Sequence, residues 1–173
     1  GWELSFVWRD RATLFSRSFS YSLRASLGDY QTKVTRFDND TRLISEHYVG
    51  EKLGDIWGYK IDGLFRTDEE AAEYAQKVDC SYFTKRIDAT ATRKGLHAGD
   101  PKFLDLNGDN KISIGKNTVE DPGDRVVIGN SLPRYSYTFG GDFSWNGIDF
   151  SILFQGVGKR NWYPGSGQAN LFW

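Results

Sequence analysis

The feature that most constrains this chain is a period-two alternation of apolar and polar residues, strongest towards its two ends. At the start, Trp2, Leu4, Phe6 and Trp8 fall on one face and Glu3, Ser5 and Arg9 on the other, with Val7 the one apolar intruder. From Ser18 the pattern returns: Phe19, Tyr21, Leu23, Ala25 and Leu27 oppose Ser18, Ser20, Ser22, Arg24 and Ser26, with a weaker continuation to Val34. A third run sets Tyr135, Tyr137, Phe139, Phe143 and Trp145 against Arg134, Ser136, Thr138, Asp142 and Ser144. A fourth sets Ile148, Phe150, Ile152 and Phe154 against Asp149, Ser151 and Gln155. Two is the side-chain period of a β-strand, so four strands are expected. A short link joins the first pair. Asn146-Gly147 joins the second, the dipeptide best suited to a type I′ hairpin because both central residues need positive φ.

Residues 37–133 differ. They are rich in Asp, Gly and Lys and lack a long alternating run, and they are too long for a bare connection within a compact domain, so they should carry their own structure. Thr67-Asp68-Glu69-Glu70 reads as a capping box, followed by Ala71, Ala72, Tyr74 and Ala75, which predicts a short helix ending near Val78. The expected organisation is all-β with one small helix: two strands in 1–36, a long structured loop in 37–133, a hairpin in 134–158, and the start of a further loop in 159–173.

Ten-residue strands with aromatic rings on one face and Ser, Thr, Asp or Arg on the other describe the wall of an outer-membrane barrel. The parity agrees, since both short turns fall at one end of the strands and the long insert at the other. A soluble antiparallel sheet with one wet face shows the same alternation. Four strands cannot close a membrane barrel, which starts at about eight, so the barrel reading puts most of the wall outside this chain. The opening GWELSFVW has neither a basic nor an apolar leader segment, and reads as a piece of something longer.

Composition removes other classes. With 22 Lys and Arg against 23 Asp and Glu, there is no broad basic field and nucleic acid is not an expected partner. The single cysteine, Cys80, excludes an internal disulfide framework, and His47 and His97 stand too far apart in sequence to suggest a metal or triad motif. No catalytic residue is assigned, and no enzyme activity is expected.

The densest chemical signal is Asp105-Leu106-Asn107-Gly108-Asp109-Asn110-Lys111-Ile112-Ser113. Oxygen ligands at loop positions 1, 3 and 5, a carbonyl at 7 and an apolar anchor at 8 are what a Ca²⁺ loop requires. Asp105, Asn107, Asp109 and the carbonyl of Lys111 fit these roles, with Ile112 as anchor and Ser113 able to contribute directly or through water. Position 6, usually Gly, is Asn110, which tolerates the left-handed conformation. Position 12 is Lys116 instead of an acid, so the last ligand must come from elsewhere: Asp124 is the candidate, with Glu120 and Asp121 as rivals. An Asx-rich turn uses the same residue types. Trp57, Tyr59, Trp162 and Tyr163 stand beside polar residues, where rings could contact a substrate or partner or pack the loop against itself.

Four collinear blocks carry a family resemblance: GEKLGDIWGYKIDGLF from Gly50 to Phe65, the loop Asp105 to Asp109, GDRVVIGNSLPRYSYTFGGDFSWNGIDFSILFQGVGKR from Gly123 to Arg160, and Trp162-Tyr163. Together they resemble the C-terminal barrel region of SusC/RagA-type TonB-dependent outer-membrane transporters. In that family the Asp-rich loop runs directly into an Asp-Arg pair, whereas here about eight residues intervene before Asp124-Arg125, which again points to Asp124 as a displaced ligand. The resemblance implies part of a 22-stranded barrel in the bacterial outer membrane, working beneath a SusD-like surface lipoprotein to import oligosaccharides or peptides. Energy would come through the TonB complex acting on regions absent from this chain. Outer-membrane lipid would surround the wall, and Ca²⁺ would stiffen the loop. The alternative is a soluble secreted β domain that binds calcium and glycan.

Overall fold

The computed structural model describes residues 1–88 and 95–163. The elements in order are β1 (Trp2–Leu14), β2 (Arg17–Asp29), β3 (Asp55–Tyr59), β4 (Ile61–Leu64), α1 (Asp68–Lys77), α2 (Ser81–Asp88), β5 (Pro101–Phe103), β6 (Arg125–Asn130), β7 (Arg134–Trp145) and β8 (Ile148–Lys159). They divide into two compact units, Gly1–Thr32 with Asn130–Trp173, and Lys33–Gly129. Of the expected further loop at 159–173, the part from 164 onwards lies outside the described residues.

The first unit is one antiparallel sheet in the order β1-β2-β7-β8. Its register lines up Phe6, Ala25, Phe139 and Phe154, and in the next row Trp8, Leu23, Gly141 and Ile152. Paired residues share a face, so the four alternations merge into one apolar surface and one polar surface. On the polar side Ser22, Asp142 and Ser151 form a row. Asp142 accepts hydrogen bonds there from Arg24, Ser22 and Ser151 at 2.8, 3.1 and 2.7 Å, and Ser26 meets Thr138 at 2.6 Å. The apolar side remains open: Phe6, Phe139 and Phe150 each keep over half of their surface exposed. A soluble sheet would seal these rings beneath a second layer. Within the face, Phe139 stacks on Phe154 at 4.6 Å, and the Tyr137 ring covers Gly156, where an added Cβ would lie 2.4 Å from the phenol oxygen.

Three details depart from the sequence reading. First, β1 runs on to Leu14 past Asp10, which interrupts the apolar face. The Asp10 carboxylate accepts from the Arg11 N–H at 2.7 Å and from the Tyr21 hydroxyl at 3.4 Å, so the ladder continues. The link to β2 is then only Phe15 and Ser16, both at positive φ (50° and 62°), a conformation that costs a residue with a Cβ roughly 1–2 kcal/mol. Second, β2 stops at Asp29, whose carboxylate takes a forked hydrogen bond from Arg134. The weaker continuation towards Val34 belongs to the second unit, where the Val34 N–H donates to the Glu51 carbonyl. Third, Tyr135 has φ 56° and sits at an irregularity between the Arg134 and Ser136 pairings with β8.

The second unit is built from short pieces: β3 pairs with β6 and β4 with β5, around a core of Tyr48, Phe65, Ala71, Cys80 and Ile112. The predicted helix is α1. Thr67 Oγ1 accepts the Glu70 N–H at 3.2 Å, while the Glu70 carboxylate reaches back to the N–H of Arg66, one residue beyond the cap. A second helix, α2, was not expected, because SYFTKRID carries neither an alanine run nor a capping box. Asp79 starts it by accepting the Ser81 N–H at 2.8 Å.

Candidate functional site

The Asp105 loop folds through its own side chains. Asp105 accepts the N–H groups of Gly108 and Asn110, both at 2.7 Å, Asn107 accepts that of Asp109 at 3.0 Å, and Asp109 accepts that of Lys111 at 2.8 Å. Each carboxyl or amide oxygen curls the backbone around itself, which is why Asp and Asn at alternate positions make a tight loop. Asn110 adopts φ 58°, the left-handed geometry expected where Gly would be usual. Behind the loop, Ile112 is fully buried. Its N–H donates to the Asp79 carbonyl at 2.9 Å, and the Asp79 N–H donates to the Asn110 carbonyl at 2.8 Å, tying the loop to the end of α1.

Asp124 returns to this loop despite the intervening residues. Its carboxylate is 0% exposed and accepts the Leu106 N–H at 2.9 Å and the Ser113 N–H at 2.8 Å. One group therefore grips the second and ninth positions of the loop. The segment between is closed on itself. Gly115 and Gly123, both at positive φ, cross so tightly that a Cβ on either would lie 2.5 Å from the other's nitrogen. Arg125 spans the closure, donating to the carbonyls of Ile114 (2.8 Å) and Pro122 (3.2 Å) and to Asn117 Oδ1 (2.9 Å). The rival acids point elsewhere: Glu120 pairs with Arg42 at 2.5 Å, and the Asp121 carboxylate lies against Gly115.

The electrostatics of the loop are those of crowded carboxylates. Burial acts to raise the Asp105 carboxyl, but the N–H groups of Asn110 and Gly108 hold it below the usual range, and the Asp124 carboxyl lies within its hydrogen-bonding reach. Among the described residues neither Asp105, Asp109 nor Asp124 forms an ion pair. Also among the described residues, no three His, Cys, Asp or Glu side chains gather into a metal-binding group. The structure therefore does not bring Asp105, Asp109 and Asp124 into one carboxylate cluster: both oxygens of each carboxylate accept hydrogen bonds within the loop and its surroundings.

The candidate aromatic residues separate into two kinds. Trp57 is half-buried, its indole N–H donating to the Tyr48 hydroxyl at 3.3 Å. Tyr59 packs edge-on against Phe83 at 4.9 Å and Phe103 at 5.6 Å, and its hydroxyl donates to the Ser113 carbonyl at 3.4 Å. Both hold the second unit together, Tyr59 linking the aromatic cluster to the Asp105 loop. Trp162 and Tyr163, by contrast, are 64% and 66% exposed. Cys80 is buried, and burial pushes its thiol up to about 11, so it is a poor nucleophile. The Asp142 network on the polar face of the sheet was not singled out from sequence. The only signal for it was the coincidence of Ser22, Asp142 and Ser151 on the polar side of three alternations.

No protein-family model matches the chain. It is 29% identical over 178 aligned residues to the TonB-dependent receptor P39 of Formosa agariphila, an alignment covering 89% of this chain and 16% of that protein. It is 32% identical over 141 residues to the TonB-dependent receptor P26 of the same organism, covering 77% of this chain and 11% of that protein. The chain therefore spans only about a sixth and a ninth of these relatives. Both relatives are named as TonB-dependent receptors. The similarity supports the TonB-dependent receptors as a group and does not separate the SusC/RagA type from the rest.

Proposed function

We propose that this chain is a piece of a TonB-dependent outer-membrane receptor, in which the first unit is four neighbouring strands of the barrel wall and the second is one large extracellular loop. One observation carries the reading: a continuous apolar, ring-rich face on one side of an antiparallel sheet, left open. Strands of 12–13 residues, at about 3.3 Å per residue and a tilt of about 45°, cross roughly 28 Å, close to the apolar band of such barrels. Trp2 and Tyr137 lie towards one end of the face and Tyr21 and Trp145 towards the other, the placement of rings that favour the lipid–water boundary. No helix among the described residues is long and apolar enough to cross a membrane, which bears on helices alone.

The finer reading is of the SusC/RagA type: a 22-stranded barrel importing oligosaccharides or peptides beneath a SusD-like lipoprotein, driven by TonB through regions outside this chain. The ordered blocks from Gly50 to Tyr163 support it. In this reading the second unit docks the lid and shapes the mouth, with Trp162 and Tyr163 as exposed contact residues. Ca²⁺ held by Asp105, Asn107, Asp109, the Lys111 carbonyl and Asp124 would neutralise carboxylates that lack a cationic partner. Its affinity should be weak, on the order of 10⁻⁴ to 10⁻³ M, because no acid occupies the twelfth position. Deleting 67–78 in the full-length protein should impair growth on the transported nutrient and recovery of the lipoprotein, with barrel assembly intact. Unimpaired growth and association would overturn the loop's role. Isothermal titration with Ca²⁺ should show binding that Asp105→Ala abolishes; silent titration of the wild type would reduce the loop to an Asx network.

A further inference from the structure

Three features meet at the short-turn end of the sheet's apolar face. The Phe15-Ser16 turn holds two residues with a Cβ at positive φ, whereas the sister turn uses Asn146-Gly147, residues suited to that backbone. The Phe15 ring is 81% exposed. A phenyl group gives a type I′ turn nothing, and water is its least favourable surrounding, so the strained and exposed placement points to something outside the protein. Phe15 meets the edge of Trp145 at 6.2 Å, and the Trp145 indole N–H donates to the Leu14 carbonyl at 3.2 Å. Arg17 stands opposite Leu14 in the ladder, on this same apolar face. Its guanidinium donates to Asn146 Oδ1 and forms no ion pair among the described residues.

A guanidinium has five N–H donors in a planar fork that matches two oxygens of a phosphate. Here that fork stands at the rim of an apolar face, between rings of the kind that settle at the depth of lipid carbonyls and glycerol. A lone Arg facing only hydrocarbon would be costly, and one at the rim has a phosphodiester within reach. We infer that Phe15, Arg17 and Trp145 form a binding site for the phosphate of a phospholipid headgroup at the short-turn edge of the wall. The inference rests on the membrane-wall reading above.

The test uses the full-length protein carrying this segment, in nanodiscs of phosphatidylethanolamine and phosphatidylglycerol, with retained lipid counted by native mass spectrometry after transfer to detergent. Arg17→Ala should lower retention of one phospholipid about tenfold, the loss of a charge-assisted forked contact. Arg17→Lys should keep part of it, and Arg11→Ala, on the polar face, should keep all of it. Retention by Arg17→Ala equal to wild type would overturn the site, as would release of the lipid by inorganic phosphate, which would mark a site for free anions. The share of brominated-lipid quenching that is lost in Trp145→Phe, Trp2 and Trp8 lying on the same face, separates the two levels of the argument. Quenching at Trp145 with unchanged lipid retention overturns the headgroup site alone. No quenching at Trp145 overturns the membrane placement, and the site with it.

Discussion

Among the described residues, every apolar side chain buried to the level of a core lies in Lys33–Gly129: Tyr48, Phe65, Ala71, Cys80 and Ile112. The other unit holds Trp2, Phe6, Trp8, Phe139, Phe150 and Phe154 and buries none of them to that degree. One unit hides its apolar groups within itself and fixes its backbone with carboxylates. The other has long regular ladders whose apolar face has no cover of its own. Regular hydrogen bonding and a self-contained core are therefore separable. Under the membrane-wall proposal the sheet is expected to be the more regular half, because in hydrocarbon every backbone group must be paired.

The largest effect should come from the fully buried carboxylate that closes the Asp105 loop. Asp124→Ala leaves the Leu106 and Ser113 N–H groups without their acceptor, a loss of roughly 2–6 kcal/mol at about 1–3 kcal/mol for each unpaired donor. Limited proteolysis should then cut within 105–123 while the hairpin strands stay protected. Equal cleavage in both units would show that they stand or fall together, against the comparison. Next is the sheet itself. Phe139→Arg puts a charge on the apolar face at the middle of the strands, which near mid-membrane costs about 2–4 kcal/mol, whereas Ser5→Arg at a similar depth on the polar face should cost little. Folding of the full-length protein into vesicles, followed by heat-modifiable migration, measures the difference. Equal effects at the two positions would remove lipid from the argument.

These contrasts also explain what the sequence made legible. The sheet was readable because period-two patterning over ten residues has few other uses, and because Asn146-Gly147 fixes one turn. The extent of β1 was not, since Asp10 breaks the apolar face and its partner Tyr21 is found only once the register is known. In the second unit, spacing marked the Asp105 loop and the cap at Thr67, both local devices. The return of Asp124 depends on Gly115 crossing Gly123 and on the grip of Arg125, long-range geometry that no local pattern encodes. Trp57 and Tyr59 could not be told from exposed rings for the same reason.

A smaller effect is set by pH. The Cys80 thiol, at about 11 in the fold against 9.0 as its ordinary value, and the Tyr74 phenol, at about 12 against 10.0, are both raised chiefly by burial. A raised folded value means that the unfolded chain ionises first. The stability these two groups contribute should be constant below pH 9, then fall as pH rises from 9 through 11 and on towards 12. Thermal melting across that range should show the second unit weakening, and Cys80→Ser should remove the part that begins near pH 9. A flat profile would mean that neither group is buried as described.

The smallest effect tests the helix start. Thr67→Ala removes the acceptor for the Glu70 N–H and should cost about 1 kcal/mol, the usual worth of such a cap. Glu70 should not replace it, because its carboxylate already accepts the Arg66 N–H and meets Lys102 at 3.4 Å. Ala71 sits fully buried just beyond the cap, so fraying of this first turn would expose part of the core and not only a helix end. Hydrogen exchange at the Glu70 and Ala71 amides should therefore accelerate about fivefold while the amides of β7 stay unchanged. If the β7 amides accelerated equally, the loop unit would be setting the stability of the sheet, and the independence drawn from the loop unit's self-contained core would be wrong.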